Sequence, residues 1–217
     1  MENQNVLPLI GDKAPSFKTQ STQWFVNFPE DYKGKWVVLF SHPADFTPVC
    51  TTEFIWFQNH YQDFKNINTE LLWYSIDWIH SHIEWLKNID KNFGIKVEFP
   101  LLAWTQIAYL YGMLHPNADS SATVRAVFVI NPEWIISAIM YYPLSNWRSV
   151  KEVLRLVKSL QTTAKYKRAT PENRPENSIF WEKVIIPPAN TMKQSLEYKE
   201  KYENKDWYLC TENNPNN

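Results

Sequence analysis

Runs of apolar and β-branched residues alternate along the chain with segments whose apolar positions recur at helical spacing. Short runs bounded by turn residues are typical of buried strands, whereas a three-to-four-residue spacing is typical of helices. The predicted strands are 35–41, 70–77, 124–131 and 134–142, and the predicted helices are 51–65, 81–93, 105–111 and 149–164. This alternation, with a hairpin at Asn131-Pro132-Glu133 before a final amphipathic helix, predicts an α/β fold in which helices cover a central sheet.

The character of the chain changes after Lys165. Prolines at 171, 175, 187 and 188 fall in a stretch without helical or strand periodicity, and a short polar helix is predicted over 191–203. We therefore expect two parts. Residues 1–165 have an order of elements compatible with a thioredoxin-like core, and residues 166–217 form a C-terminal arm that packs on the core or on another subunit.

The amino-acid composition limits the classes of protein to which the chain could belong. The chain is 44% hydrophobic and 21% charged with a net charge of -1, so we expect a soluble globular protein without nucleic-acid or membrane partners. We find neither an apolar run of signal-peptide length at the start nor a membrane-spanning run of about 18 residues, which predicts a cytoplasmic location. Two cysteines, Cys50 and Cys210, cannot form a disulfide framework and would matter as reactive thiols.

Segment 41–53, SHPADFTPVCTTE, follows a predicted buried strand and leads into a helix. Thr47 is a good N-cap and Pro48 a good first helical residue, which places Cys50 in the first turn. Unpaired backbone N–H groups and the positive end of the helix dipole favour a thiolate there. The simpler alternative is that Cys50 is a small buried hydrophobic residue.

Pro43, Thr47 and Cys50 match the P-x-x-x-T-x-x-C signature of the peroxiredoxins. The full segment resembles the long subfamily of these thiol peroxidases, which includes one-cysteine and archaeal-type members. Similar segments continue along nearly the whole chain, namely YSID, SHIEWL, YGMLHP, ATVRAVFVI, YYPLS and the proline-rich arm. The resemblance implies a thioredoxin-like fold and reduction of hydrogen peroxide and organic hydroperoxides.

The resemblance also implies roles for individual residues. Cys50 matches the cysteine that attacks the peroxide, Thr47 the residue that orients the peroxide oxygens, and Pro43 the shielding proline. Arg125 matches the arginine that stabilises the thiolate and the leaving oxygen, although most arginines at strand ends are merely solvated. Substrate-binding or supporting positions are Arg125, His42 and Arg148, and His42 could equally be a satisfied polar group. We expect no cofactor, and no metal at His80 and His82, which do not face one another on a helix.

Cys210 ends a segment that is similar to the one holding the resolving cysteine in archaeal-type relatives. The resemblance implies a disulfide between Cys50 and Cys210 of another subunit, later reduced by a thioredoxin-like partner or another thiol. Some relatives carry a further cysteine where this chain has Asn204. Alternatively, Cys210 is an incidental thiol and an external thiol resolves Cys50. A homodimer, or a ring of five dimers, is expected from the family.

Other functions remain open from the residues alone. A cysteine hydrolase would need a histidine base oriented by a third polar group, and no histidine is marked for that role. A ring-forming chaperone or thiol sensor could share the same fold. The phospholipase activity of some long relatives would need a G-x-S-x-G-like turn, which the sequence lacks.

The chain has only 4 glycines but 11 tryptophans. Several tryptophans stand where glycine is physically easier or where relatives tend to have it, and Trp134 in the hairpin is one such position. We hypothesise that the source organism reads UGA as glycine; the alternative is a genuinely tryptophan-rich variant. The positions concerned are Trp24, Trp73, Trp78, Trp134, Trp147 and Trp181.

Overall fold

The computed structural model describes residues 7–119 and 121–214. The chain divides into two compact units, Met1–Glu152 and Val153–Asn217. Helix α5 (Val150–Tyr166) begins in the first unit and continues into the second.

The first unit is built on a seven-stranded sheet in the order β2-β1-β5-β4-β3-β6-β7. Its strands are β1 (Phe17–Ser21), β2 (Phe25–Phe28), β3 (Trp36–Ser41), β4 (Thr69–Ser75), β5 (Leu101–Ala103), β6 (Arg125–Ile130) and β7 (Ile136–Tyr142). β3 pairs in parallel with β4 and antiparallel with β6, while β6 and β7 form the predicted hairpin. All four predicted strands are therefore present. The short strands β1, β2 and β5 were not predicted.

Central strand β3 is buried at every position, so its side chains serve both faces of the sheet. Val37 and Leu39 belong to a core that includes residues of helix α4 (Thr105–Leu110). Phe40 points to the opposite face, where its ring stacks on Phe57 of helix α1 with 4.6 Å between centroids. The sheet is thus covered on both faces, as an α/β fold requires, and the predicted class is confirmed.

Helices α1 (Pro48–Asn59), α2 (Tyr61–Asn66) and α3 (Ile79–Phe93) accompany α4 in the first unit. The pattern predicts one helix over 51–65, but the structure has two. The chain turns at His60, where φ is -106° and ψ is 7° and the backbone N–H donates to the carbonyls of Trp56 and Phe57. A one-residue interruption leaves the apolar spacing nearly intact, so periodicity does not detect it.

The second unit holds a three-stranded sheet in the order β8-β10-β9 and helix α6 (Met192–Lys201). Its strands are β8 (Val184–Ile185), β9 (Glu203–Asp206) and β10 (Leu209–Glu212). The sequence predicts no strand in this region. Strands of two to four residues are too short to show a recognisable alternation of apolar and polar residues.

Within residues 7–119 and 121–214, no helix is both long enough and apolar enough to cross a lipid bilayer.

Candidate active site

The loop after β3 brings Cys50 to the start of α1. Thr47 is the N-cap residue, with an extended backbone at φ -103° and ψ 144°, and Pro48 is the first helical residue. Cys50 lies in the first turn and is fully buried. The Thr47 hydroxyl makes no capping bond; it donates to the carbonyl oxygen of Ala44 at 2.9 Å. The predicted helix start is therefore confirmed, but the Thr47 hydroxyl faces back along the loop.

A guanidinium lies next to the Cys50 sulfur. Nη1 of Arg125 is 3.3 Å from Sγ of Cys50 and 2.8 Å from Oε2 of Glu53. Nε and Nη2 of the same side chain donate to the carbonyl oxygen of Leu144 at 3.1 and 3.0 Å. Because three of its nitrogens are engaged, the guanidinium is fixed in place with its positive charge next to the sulfur. Arg125, the first residue of β6, is 2% exposed, so it is not a solvated strand-end charge.

Arg148 completes this buried network from the other side of Glu53. Its Nη2 atom is 2.7 Å from Oε2 of Glu53, and its Nε atom is 3.0 Å from Oε1. Its Nη1 atom donates to the carbonyls of Ser41 and Ala126. Burial alone would raise the pKa of Glu53, but the charge and hydrogen bonds of Arg148, joined by the charge of Arg125, hold it below its ordinary value. One carboxylate thus ties two arginines together next to the sulfur.

His42 takes part in a second buried network, in the loop itself. Its Nε2 atom is 2.9 Å from Oδ1 of Asp45, and the indole N–H of Trp73 donates to its Nδ1 atom at 2.7 Å. The second oxygen of Asp45 is 2.7 Å from Nδ1 of His82, a residue of α3. Desolvation by burial lowers the pKa of His42, although Asp45 opposes this shift. His42 is therefore a well-satisfied buried group that acts on the loop through Asp45.

The structure brings several of the predicted site residues together. Cys50 and Arg125 are in direct contact, and Arg148 joins them through Glu53. Pro43 is half-buried in the same loop.

Cys210 lies in the second unit, on β10, and is 1% exposed. Its sulfur is 3.5 Å from the carbonyl oxygen of Trp207 and 3.6 Å from that of Asp206. Burial and the nearby carboxylate of Asp206 raise the pKa of the Cys210 thiol. This environment favours the protonated, less reactive form of the sulfur.

Sequence reasoning missed three residues of these networks, Glu53, Asp45 and His82. Glu53 follows Cys50 by three positions, a spacing that puts both side chains on one helical face and could have revealed it. Asp45 and His82 are distant in sequence and give no local signal, because only the packing of α3 against the loop brings them together.

Two of the six questioned tryptophans have the backbone conformation that favours glycine. Trp134 has a φ of 67° and Trp181 a φ of 50°. The buried indole N–H of Trp134 also lacks a hydrogen-bond partner among the described residues. Position 73 is different, since its indole is fully buried and its ring centroid is 3.7 Å from that of Phe54. A glycine there would leave this volume to be filled by other side chains.

Comparison with known proteins places the chain in a family. Residues 10–139 match the model of the AhpC/TSA family. A peroxiredoxin from Ignicoccus hospitalis is 49% identical over 211 residues, which cover 96% of this chain and 90% of the relative. One from Aquifex aeolicus is 46% identical, with 94% of this chain and 96% of the relative covered. The chain belongs to the peroxiredoxin family.

Solved structures agree with this assignment. A yeast mitochondrial 1-Cys peroxiredoxin superposes with a TM-score of 0.82 at 34% identity, covering 94% of this chain and 99% of that one. A mutant of peroxiredoxin 6 from Arenicola marina gives 0.83 at 30% identity, covering 96% and 99%. The thioredoxin-like fold is thereby confirmed, and this peroxiredoxin is an enzyme, a peroxidase of the oxidoreductase class.

Proposed function

We propose that Cys50 is the nucleophile of this peroxidase. The observation that carries the proposal is the 3.3 Å contact between Nη1 of Arg125 and the Cys50 sulfur at the start of α1. The guanidinium places a fixed positive charge beside the sulfur, and the thiolate is the form of cysteine that attacks a peroxide. The first helical turn adds the positive end of the helix dipole.

The first step oxidises the sulfur and reduces the peroxide. The Cys50 thiolate attacks one peroxide oxygen, so that an S–O bond forms as the O–O bond breaks. The other oxygen leaves with the electron pair and takes a proton, giving water from hydrogen peroxide or an alcohol from an organic hydroperoxide. Cys50 becomes a sulfenic acid. Arg125 stabilises the negative charge that develops on the leaving oxygen, a role that suits a donor fixed in advance by Leu144 and Glu53.

Thr47 and Pro43 are proposed to shape the peroxide site. Because the Thr47 hydroxyl donates its hydrogen to Ala44, its oxygen is oriented as an acceptor for the O–H of a peroxide. Pro43 is half-buried in the same rigid loop and would limit the access of water to the sulfur. Arg148 supports the site by holding Glu53, and His42 supports it by holding Asp45.

We propose that Cys210 of another subunit resolves the sulfenic acid. Its thiol condenses with the Cys50 sulfenic acid, an S–S bond forms and water leaves; a dithiol such as a thioredoxin-like protein then reduces the disulfide. Since Cys210 is buried and its pKa is raised, the β9–β10 segment must open locally before this attack.

The same burial favours the alternative in which an external thiol resolves Cys50. In one structural relative, the yeast mitochondrial 1-Cys peroxiredoxin, thiol resolution proceeds via glutathione and thioredoxin systems. In either case residues 166–217 are proposed as an arm that contributes to a homodimer, which could assemble further into a ring of five dimers.

The experiment that tests this function is peroxide-dependent oxidation of a thiol reductant by three proteins, the wild type, Cys50→Ser and Cys210→Ser. Loss of all turnover in Cys50→Ser is expected. Turnover by Cys210→Ser with a small thiol but not with a thioredoxin supports the resolving role of Cys210. Equal turnover by Cys210→Ser with both reductants supports the one-cysteine alternative, and turnover by Cys50→Ser contradicts the proposal.

A further inference from the structure

A buried contact ties the loop before Cys50 to helix α3. Nδ1 of His82 is 2.7 Å from Oδ2 of Asp45, and Nε2 of His82 is 3.2 Å from the carbonyl oxygen of Leu102. His82 is fully buried and Asp45 is 7% exposed. Burial alone would raise the pKa of Asp45, but hydrogen bonds from His42 and His82 lower it below its ordinary range. Because the ionised Asp45 can only accept, Nδ1 of His82 carries the hydrogen of this bond.

Asp45 is held at its backbone as well as at its side chain. Its backbone N–H donates to Oδ2 of Asp77 at 3.1 Å, and its other carboxylate oxygen faces His42 at 2.9 Å. His82 supplies the contact that comes from a separate helix. Without it, one oxygen of a buried carboxylate would lose its partner, which is costly in a site of low polarity.

The residue after Asp45 has a strained backbone. Phe46 has a φ of 55°, in the left-handed region that residues other than glycine seldom adopt. Such a conformation persists only where the surrounding structure enforces it. The Phe46 side chain is 54% exposed, and its ring centroid lies 6.4 Å from that of Trp85 on α3. Its neighbour Asp45 is fixed at both backbone and side chain. Phe46 leads directly to Thr47, the N-cap of the helix that presents Cys50.

We propose that His82 is a positioning residue for peroxide reduction. By donating to Asp45 it holds Phe46 in the left-handed conformation, and thereby fixes Thr47 and the first turn of α1 in the geometry that the Cys50 sulfur needs. His82 acts through Asp45 and not on the reacting atoms. The proposal rests on the proposed role of Cys50.

The test compares substitutions at two histidines of the same helix, by the rate constant for Cys50 oxidation by hydrogen peroxide in stopped flow. His82→Leu removes the donor and should slow oxidation by about tenfold or more, the equivalent of one hydrogen bond to a charged group. His82→Asn places an amide N–H near the position of Nδ1 and should restore most of the rate. His82→Gln extends its amide toward the position of Nε2, away from Asp45, and should stay slow. The exposed His80 gives the matched control, because His80→Asn should react like the wild type.

The outcomes separate this proposal from the one on which it rests. A wild type that does not react with peroxide contradicts the role of Cys50, and both proposals fail. If the wild type and His80→Asn react and a folded His82→Leu reacts equally fast, only the positioning role is overturned. Should His82→Leu not fold, the Asn and Gln variants decide: equal rates for the two overturn the proposal, since a purely structural histidine would not distinguish which nitrogen is replaced.

Discussion

Nη1 of Arg125 lies 3.3 Å from the sulfur of Cys50. The two residues are distant in sequence, one at the start of β6 and the other in the first turn of α1. The antiparallel pairing of β3 with β6 brings them together, because α1 begins just beyond the end of β3. The sheet topology therefore creates the charge environment of the thiol.

Replacing the arginine should slow the first chemical step. Arg125→Met removes a fixed donor to the sulfur, which in the proposed mechanism also stabilises the leaving oxygen, and we expect the rate constant for Cys50 oxidation by peroxide to fall about 100-fold. Arg125→Lys should be intermediate, since an ammonium keeps the charge but cannot contact Leu144 and the sulfur with separate nitrogens.

The matched control is Arg168→Met, which removes an arginine paired with Glu212 in the second unit and should leave this rate constant unchanged. Stopped-flow kinetics with hydrogen peroxide measures all three variants. An Arg125→Met protein that reacts at the wild-type rate would exclude the proposed role of the guanidinium.

Glu53 should contribute strongly to stability, in a pH-dependent way. Glu53→Gln leaves two buried guanidinium groups without their counterion, and we expect a loss of about 3 kcal/mol in the free energy of unfolding near neutral pH. Because Arg148 and Arg125 lower the pKa of Glu53, the contribution of the carboxylate is fully present above its ordinary value of 4.5. It is lost as the pH falls from there toward the lower pKa of the folded protein.

Urea unfolding of both proteins across this pH range measures the effect. The pair of Lys35 and Glu70 is more exposed than Glu53 and its arginines and supplies the comparison, since Glu70→Gln should cost less than about 1 kcal/mol. If Glu53→Gln lowers the free energy of unfolding by as little as Glu70→Gln does, the account of the buried network is contradicted. It is also contradicted if the loss does not become smaller toward acid pH.

The Cys210 thiol should react slowly with alkylating reagents while the second unit is folded. In the Cys50→Ser protein it is the remaining thiol, and because it is buried with a raised pKa we expect slow alkylation by iodoacetamide that accelerates in urea. Alkylation followed by mass spectrometry measures this. Free cysteine in the same buffer is the reference, and alkylation of the folded protein at the rate of free cysteine would show that the arm does not protect the sulfur.

The sequence predicts features that depend on neighbouring residues and misses features that depend on contacts between distant parts of the chain. The helix start at Thr47 and Pro48 and the position of Cys50 could be predicted, because capping and proline preferences act within a few residues. The link between Asp45 and His82 could not, since it depends on how α3 packs against the loop. Strands β8 to β10 were missed because they are too short to show periodicity.

Backbone strain predicts different effects of a glycine substitution at two of the exposed, questioned tryptophans. Trp181 has a φ of 50° and is 68% exposed, so Trp181→Gly should relieve strain at little loss of packing and stabilise the protein by about 0.5–1 kcal/mol. Trp78 is 80% exposed with an ordinary φ of -75°, so Trp78→Gly should give no gain.

Thermal unfolding compares the two variants with the parent. If Trp181→Gly and Trp78→Gly change the stability equally, the positive φ of Trp181 does not strain the protein. The glycine hypothesis itself is decided by mass spectrometry of protein from its native source: glycine at position 134 is expected, and tryptophan there rejects it.

The most direct test of the central claim is to trap the oxidised sulfur. The Cys210→Ser protein, treated with one equivalent of hydrogen peroxide and then with dimedone, is digested and its Cys50 peptide is identified by mass spectrometry. We expect the dimedone adduct of a sulfenic acid on Cys50, together with consumption of the peroxide. An unmodified Cys50 peptide with the peroxide still in solution would contradict the assignment of Cys50 as the peroxide-reducing residue.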